Sequence, residues 1–201
     1  MAGFPVSTVC VTDGDLVARA RVGDHAAFGE LVDRHRVAVY RASMAALGSH
    51  AEAEDAAQDA FVVAWRRLDS FRGEASFRTW LLTIAWHQAI NRRRSLASVW
   101  RRMAAPKTAE DAEEAIAGVA SSGPSPEQAA EQQQLRRGIR EAIRALSPKL
   151  RDALLLAQAG DYSYDEIGAM LRVPTGTIKW RVSEARRVIR KRLEERGHGH
   201  V

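Results

Sequence analysis

Between Asp55 and Arg94 the chain reads DAAQDAFVVAWRRLDSFRGEASFRTWLLTIAWHQAINRRR, and this stretch holds three of the five tryptophans, three phenylalanines, a run of acids and three consecutive arginines. Each residue type suits a different contact. Together they describe a surface that meets protein on one side and nucleic acid on the other. A second concentration lies between Arg172 and Arg196, where nine Lys or Arg stand against three Glu, a local net of +6 in a chain whose formal total is +5. The basic balance, with a sequence pI near 9.9, is therefore local and points to nucleic acid.

Other chemistries find less support. Cys10 is the single cysteine, which leaves no intrachain disulfide or cysteine zinc cluster and fits a reducing compartment. Of the six histidines, His25, His35, His50 and His87 show no ligand-like pairing, and His198 and His200 lie in a short tail. With no glycine-rich phosphate loop and no nucleophile motif, the expectation is a protein that is not an enzyme and needs neither metal nor cofactor. The start, MAGFPVSTVCVTDGD, does not read as a secretory signal. No run of 18 apolar residues occurs, so membrane insertion is not expected and a cytoplasmic location is.

The elements that must position these residues are helical. Leu16, Val17, Ala20, Phe28, Leu31, Val32, Val39, Met44 and Leu47 recur at helical spacing, broken at Gly23 and Asp24, which predicts two helices. After Gly48 and Ser49 a third runs from Ala51 to Leu68; Ala57, Phe61, Ala64 and Leu68 share one face, and Asp55, Gln58, Asp59 and Arg66 the opposite one. Asp69 to Ser76 is a loop by composition, held between Phe71 and Phe77. Thr79 to Arg94 is helical again, with Leu81, Ile84, Ala85 and Ala89 as its seam. Ser95 to Gln134 is rich in Ala, Ser, Pro, Glu and Gln, carries three Lys or Arg against six Asp or Glu, and lacks the large apolar residues for a core; it reads as an acidic linker, extended or partly helical, broken at Gly123 to Pro126.

Helical pattern returns from Leu135 to Leu193. Leu135, Ile139, Ala142, Ile143 and Leu146 line one helix, Ser147 and Pro148 open the next, and Ser163 with Glu166 forms a capping box for a short third. A tight turn at Arg172 to Pro174 leads to Thr175, expected to cap a last helix whose apolar face is Ile178, Val182, Ala185 and Ile189. A short helix, a turn and a longer basic helix is the helix-turn-helix arrangement, with the second helix in the major groove. Trp180, Ser183, Glu184, Arg187 and Lys191 project opposite the seam, flanked by Lys179, Arg181, Arg186 and Arg190; those near the helix start reach base edges and the later ones grip phosphates.

Both halves resemble the extracytoplasmic-function class of bacterial RNA polymerase sigma factors. DAAQDAF followed by a tryptophan, then FRGEASFRTWLLTIA, is similar to the family's region 2, and LSPKLRDALLLAQAGDYSYDEIGAMLRVPTGTIKWRVSEARRVIRKRL to its region 4. The likeness covers about Asp24 to Arg94 and Leu135 to Leu193. It implies an all-α fold of two small domains joined by a flexible linker: an N-terminal segment 1–23, a region 2 domain 24–94, a linker 95–134, a region 4 domain 135–196 and a tail 197–201. It further implies that Asp55, Gln58 and Asp59 dock on the β′ coiled coil of core RNA polymerase, and that the β flap is a second polymerase contact. Arg72, Ser76, Arg78, His87, Asn91, Arg92, Arg93 and Arg94 would then meet the promoter −10 element and help open it, while Thr175, Thr177, Lys179, Trp180, Arg181, Ser183, Glu184 and Arg187 meet the −35 element. An anti-sigma factor is an expected partner. Phe71 and Phe77 are expected to anchor the loop from the core, with Trp80 beside them.

The sequence departs from the family at some positions. His87 and Asn91 stand where members commonly have Asn and Asp, Trp86 where a basic residue is frequent, and Trp180 where a small residue is usual. The rival reading, a stand-alone helix-turn-helix regulator that binds duplex DNA as a homodimer, accounts for the second half and leaves DAAQDAF and the loop unexplained.

Overall fold

The structure is a computed structural model that describes residues 11–103, 126–160 and 162–196. Among the described residues it contains eight α-helices and no strand. The first four form one bundle. In α1 (Asp13–Arg21) Thr12 and Asp15 build a reciprocal capping box, and in α2 (His25–Leu47) the Asp24 carboxylate accepts from Ala27 N at 3.0 Å. Gly48, at φ 69°, ends α2 in the left-handed conformation that glycine adopts without strain.

Helix α3 (His50–Arg66) buries Ala53, Ala56, Ala57, Ala60 and Ala64, a stripe of small side chains that brings its backbone close to α2 and to α4 (Phe77–Met103). Between them runs a single 3-10 turn, Leu68–Ser70, and the loop. Leu16, Leu31, Val39, Leu81 and Leu82 fill the centre at 0–1% exposure. Helix α1 contributes Leu16, Val17 and Ala20 to that core, so the segment set apart by sequence as 1–23 is packed into the first bundle from Asp13 onward.

The second bundle consists of α5 (Pro126–Arg144), α6 (Pro148–Gln158), α7 (Tyr164–Leu171) and α8 (Thr175–Glu194), around Leu156, Ile167, Met170, Ile178 and Val182. The Ser163–Glu166 capping box is present in full. Two other expected caps are not. Ser147 makes no side-chain cap bond, and Pro148 with the Ser147 carbonyl, which accepts from Leu150 N and Arg151 N, suffices to start α6. Thr175 is the first helical residue rather than the cap, and its hydroxyl reaches Asp165 on α7. That bond ties the two helices of the helix-turn-helix together, a use that spacing alone does not separate from capping.

Of the two forms expected for the linker, extended or partly helical, its described ends take the helical one, since α4 continues to Met103 and α5 begins at Pro126. Lack of large apolar residues does not prevent this, because Ala, Arg, Gln and Glu have high helix propensity. Residues 104–125, which include Ile116, Val119 and most of the GPSP break, lie outside the described residues.

The turn between α7 and α8 constrains Gly168 most closely. Arg172 adopts φ 54°, Val173 N bonds to Gly168 O at 2.9 Å, and a Cβ on Gly168 would stand 2.8 Å from the Val173 carbonyl oxygen. Gly176, by contrast, has nothing within 4 Å of a Cβ position. Gly168→Ala is therefore expected to destabilise by about 1–3 kcal/mol. Gly176→Ala should be neutral or gain up to about 1 kcal/mol from helix propensity. Urea unfolding followed by circular dichroism compares the two.

Candidate protein and nucleic-acid interfaces

The loop after α3 is fastened from both sides. Phe77 is buried at 3% exposure, and Phe71, Phe77 and Trp80 form a trio with ring centroids 5.4–5.7 Å apart. Ser76 caps α4, its hydroxyl accepting from Thr79 N at 3.1 Å, while staying exposed. From α1, Arg21 donates to the carbonyls of Leu68, at 3.2 Å and 3.3 Å, and of Phe71. Sequence reasoning missed Arg21, and no local signal marks it, because its partners lie 47 and 50 residues away.

The fastened loop leaves a cavity of about 220 Å³ whose walls include Phe71, Arg72, Glu74, Thr79, Trp80 and Thr83. Arg72 and Glu74 are exposed at its rim. An aromatic wall beside small polar groups and a cation is what an unstacked base needs.

Farther along α4, His87 is half-buried and its Nδ1 donates to the Thr83 carbonyl at 2.6 Å, which leaves Nε2 outside that bond. Asn91 is exposed one turn later. Trp86 is a core residue at 2% exposure, so the departure seen at this position is a matter of packing.

The three consecutive arginines go to three places, as a 100° step per residue requires. Arg92 turns to α3 and reaches Glu52, Asp55 at 2.7 Å and Asp59 at 3.5 Å. The Glu52 hydrogen bond, opposed by partial desolvation, raises the Arg92 pKa above its ordinary value. Arg93 bonds the Ala46 carbonyl of α2 at 3.3 Å and crosses to the second bundle to meet Asp152 at 3.0 Å. Arg94 is exposed. Asp55, Gln58 and Asp59 do share one exposed face of α3, as the wheel predicts.

On α8, Ile178, Val182, Ala185 and Leu193 are buried, and Ile189 is half-buried. Lys179, Trp180, Ser183 and Arg187 are exposed on the other side, Trp180 at 61%. Thr175, Thr177 and Arg181 are half-buried at the edges. Glu184 is held by Arg187 through paired bonds of 2.7 Å and 2.8 Å, which lower the Glu184 pKa.

The two bundles touch. Tyr162 OH donates to the Ala38 carbonyl at 2.5 Å, Arg78 pairs with Glu166 at 3.1 Å and stands 5.9 Å over the Tyr162 ring, and Arg93 meets Asp152. Ala169 of α7 completes the lining of the loop cavity. One candidate DNA contact, Arg78, is thus engaged by the second bundle.

Comparison with known proteins follows these two bundles. Residues 31–99 match the family Sigma-70 region 2, and residues 136–189 match Sigma-70, region 4. The chain is 32% identical over 188 residues to the ECF RNA polymerase sigma factor SigW of Bacillus subtilis (strain 168), covering 89% of this chain and 95% of that protein. It is 35% identical over 190 residues to the ECF RNA polymerase sigma-E factor of Escherichia coli (strain K12), covering 92% and 95%. Among solved structures, CnrH in complex with the cytosolic domain of CnrY superposes with a TM-score of 0.60 at 26% identity, over 91% of this chain and 97% of that one. The sigma factor RpoE in complex with the anti-sigma factor NepR from Bartonella quintana superposes with a TM-score of 0.58 at 24% identity, over 83% and 96%, a likeness of fold.

The contacts between the bundles are measurable in the isolated chain. Asp152→Asn removes the charge that faces Arg93, and the expected result is a larger separation between dyes placed on α3 and α8, read by energy transfer. Raising salt toward 1 M, where the Debye length is about 3 Å, should move the wild type in the same direction.

Proposed function

The chain belongs to the extracytoplasmic-function class of sigma-70 family RNA polymerase sigma factors, and from this premise we propose how its residues divide the work of promoter recognition. It binds core RNA polymerase and directs promoter-specific initiation, reading −10 and −35 elements and aiding strand opening. In this reading it does no covalent chemistry of its own, needs no cofactor and works in the cytoplasm, where the polymerase makes the RNA.

The observation that carries the assignment within the first bundle is the cavity between Phe71 and Trp80. An unstacked base of the −10 element enters it, and Arg72, Ser76 and, once free of Glu166, Arg78 hold the strand. His87 Nε2 and Asn91 face the duplex edge beyond, and Arg94 meets phosphate. Asp55, Gln58 and Asp59 dock on the polymerase β′ coiled coil, while the second bundle meets the β flap. Thr175 and Thr177 at the start of α8 approach the backbone, where a helix N-terminus favours phosphate. Lys179, Trp180, Arg181 and Ser183 enter the −35 major groove, with Glu184 orienting Arg187. An anti-sigma factor is the proposed regulator, supported by the likeness of fold to the sigma factor RpoE solved with the anti-sigma factor NepR.

In vitro transcription with core polymerase on a randomised promoter pool tests the whole, and no stimulated initiation from any sequence would refute it. Within that assay Trp180→Ala is expected to relax selection at −35 positions, at a cost of about 1–3 kcal/mol for a base-edge contact. Arg187→Ala should weaken all sequences alike and lower the salt slope by about 1.

A further inference from the structure

Glu52, Asp55 and Asp59 lie at i, i+3 and i+7 on α3, so their carboxylates stand in one row along the helix. Unaided, three like charges at this spacing repel, and each side chain moves away from its neighbours. A single guanidinium from α4 prevents this. Arg92 Nε bonds Glu52, Nη2 bonds Asp55 at 2.7 Å, and Nη1 approaches Asp59 at 3.5 Å, so all three guanidinium nitrogens are committed to the row.

The exposures are graded in a useful way. The side chains of Arg92 and Glu52 are each 30% exposed, whereas Asp55 is 60% and Asp59 64%. The cation is the more sheltered partner, and the two outer acids each engage it through Oδ2. A promoter phosphate would have to displace Glu52 from Nε to capture Arg92. Arg94, two residues on and exposed, offers the same charge without that cost.

We propose that Arg92 is a positioning residue for polymerase docking: its guanidinium sets Glu52, Asp55 and Asp59 in one row, so that Asp55 and Asp59 present their outer oxygens to cations of the polymerase rather than leaving Arg92 to contact promoter phosphate. The proposal rests on the reading of Asp55 and Asp59 as the polymerase-facing acids. Preorganisation is what a fork of this kind supplies: side chains already fixed lose less freedom on binding. Lysine at the same place carries the charge but, as a single point, cannot bridge three carboxylates in a plane.

The test measures equilibrium binding of the full-length, fluorescently labelled chain to core polymerase. Arg92→Ala is expected to raise the Kd roughly tenfold, Arg92→Lys to recover part of the loss, and the double variant with Asp55→Asn to bind about as weakly as Asp55→Asn alone. Holoenzyme assembled at saturating Arg92→Ala chain should bind promoter DNA with the wild-type salt slope. An unchanged core Kd with a promoter salt slope lowered by about 1 would make Arg92 a phosphate contact and overturn the proposal. If Asp55→Asn weakens core binding and Arg92→Ala does not, the proposal alone fails; if Asp55→Asn has no effect, the docking reading fails and takes the proposal with it. Should Arg92→Ala lower the unfolding temperature, Glu52→Gln, which keeps Arg92 but loosens its anchor, is read instead: weakened core binding supports the proposal and unchanged binding overturns it.

Discussion

Helix α4 must be buried along two neighbouring faces at once, and the rest of the molecule is arranged around that constraint. Leu81 and Leu82, Ala85 and Trp86, Ala89 and Ile90 are buried as pairs one turn apart. A stripe of adjacent pairs is wider than a single seam, so α2 and α3 cover it on one side while α7 packs against the helix from the second bundle. Full burial of the leucine and isoleucine side chains among them stabilises by about 1.5–3 kcal/mol each. The polar positions that escape the stripe, Thr79, Thr83, His87 and Asn91, recur every four residues. The line they form leads from the loop cavity along the helix, so the packing of the core fixes which polar side chains of α4 stay accessible.

Charge is distributed on the same logic. Acids gather on α3, cations on α8, and α4 carries the exchange between them. Arg92 is bound to α3, Arg93 to α6 and Arg78 to α7. Surface ion pairs are worth about 0–1 kcal/mol each, small beside the burial that builds the helices. Such pairs orient side chains and can be traded for others without unfolding anything. The Arg93–Asp152 pair is the more sheltered, with its side chains 26% and 18% exposed, and its loss leaves more charge uncompensated.

What was legible in the sequence was what local periodicity and local capping determine. The break at Gly23 and Asp24, the acidic face at Asp55, Gln58 and Asp59, the Ser163–Glu166 box and the buried face of α8 all follow from residues within two turns of one another. The family resemblance added the order of the two halves. The features that escaped are long-range. Arg21 finds carbonyls 47 residues ahead, Arg92 finds Glu52 40 residues back, and Arg93 finds Asp152 59 residues on. A run of three arginines reads as one basic patch until the helix turns each to a different neighbour. Trp86 looked like an altered contact because its type was weighed against its position, whereas the second buried face of α4 is visible only once α2 is in place. The length of α4 escaped for another reason, since composition reports the want of a core and says little about helix propensity.

The arrangement of the two bundles sets a condition on any encounter with a promoter. Arg78 cannot hold Glu166 and a DNA strand together, and Ala169 stands at the cavity that a base would enter. On the proposed reading of the loop, separation of α7 from α4 accompanies its use, and whatever binds the separated form draws the equilibrium toward it by its difference in affinity for the two forms. Among the contacts that resist are the hydrogen bond from Tyr162, the Arg78–Glu166 and Arg93–Asp152 ion pairs, and the surfaces where α4 meets α7 and α2 meets α6. Moving such an equilibrium from 1:99 to 99:1 takes about 5.5 kcal/mol of differential binding. Of the two polymerase contacts proposed above, the one to the α3 acids is open in either arrangement, since Asp55 and Asp59 are exposed while the bundles touch, so only a contact that holds the second bundle away from α4 supplies this difference.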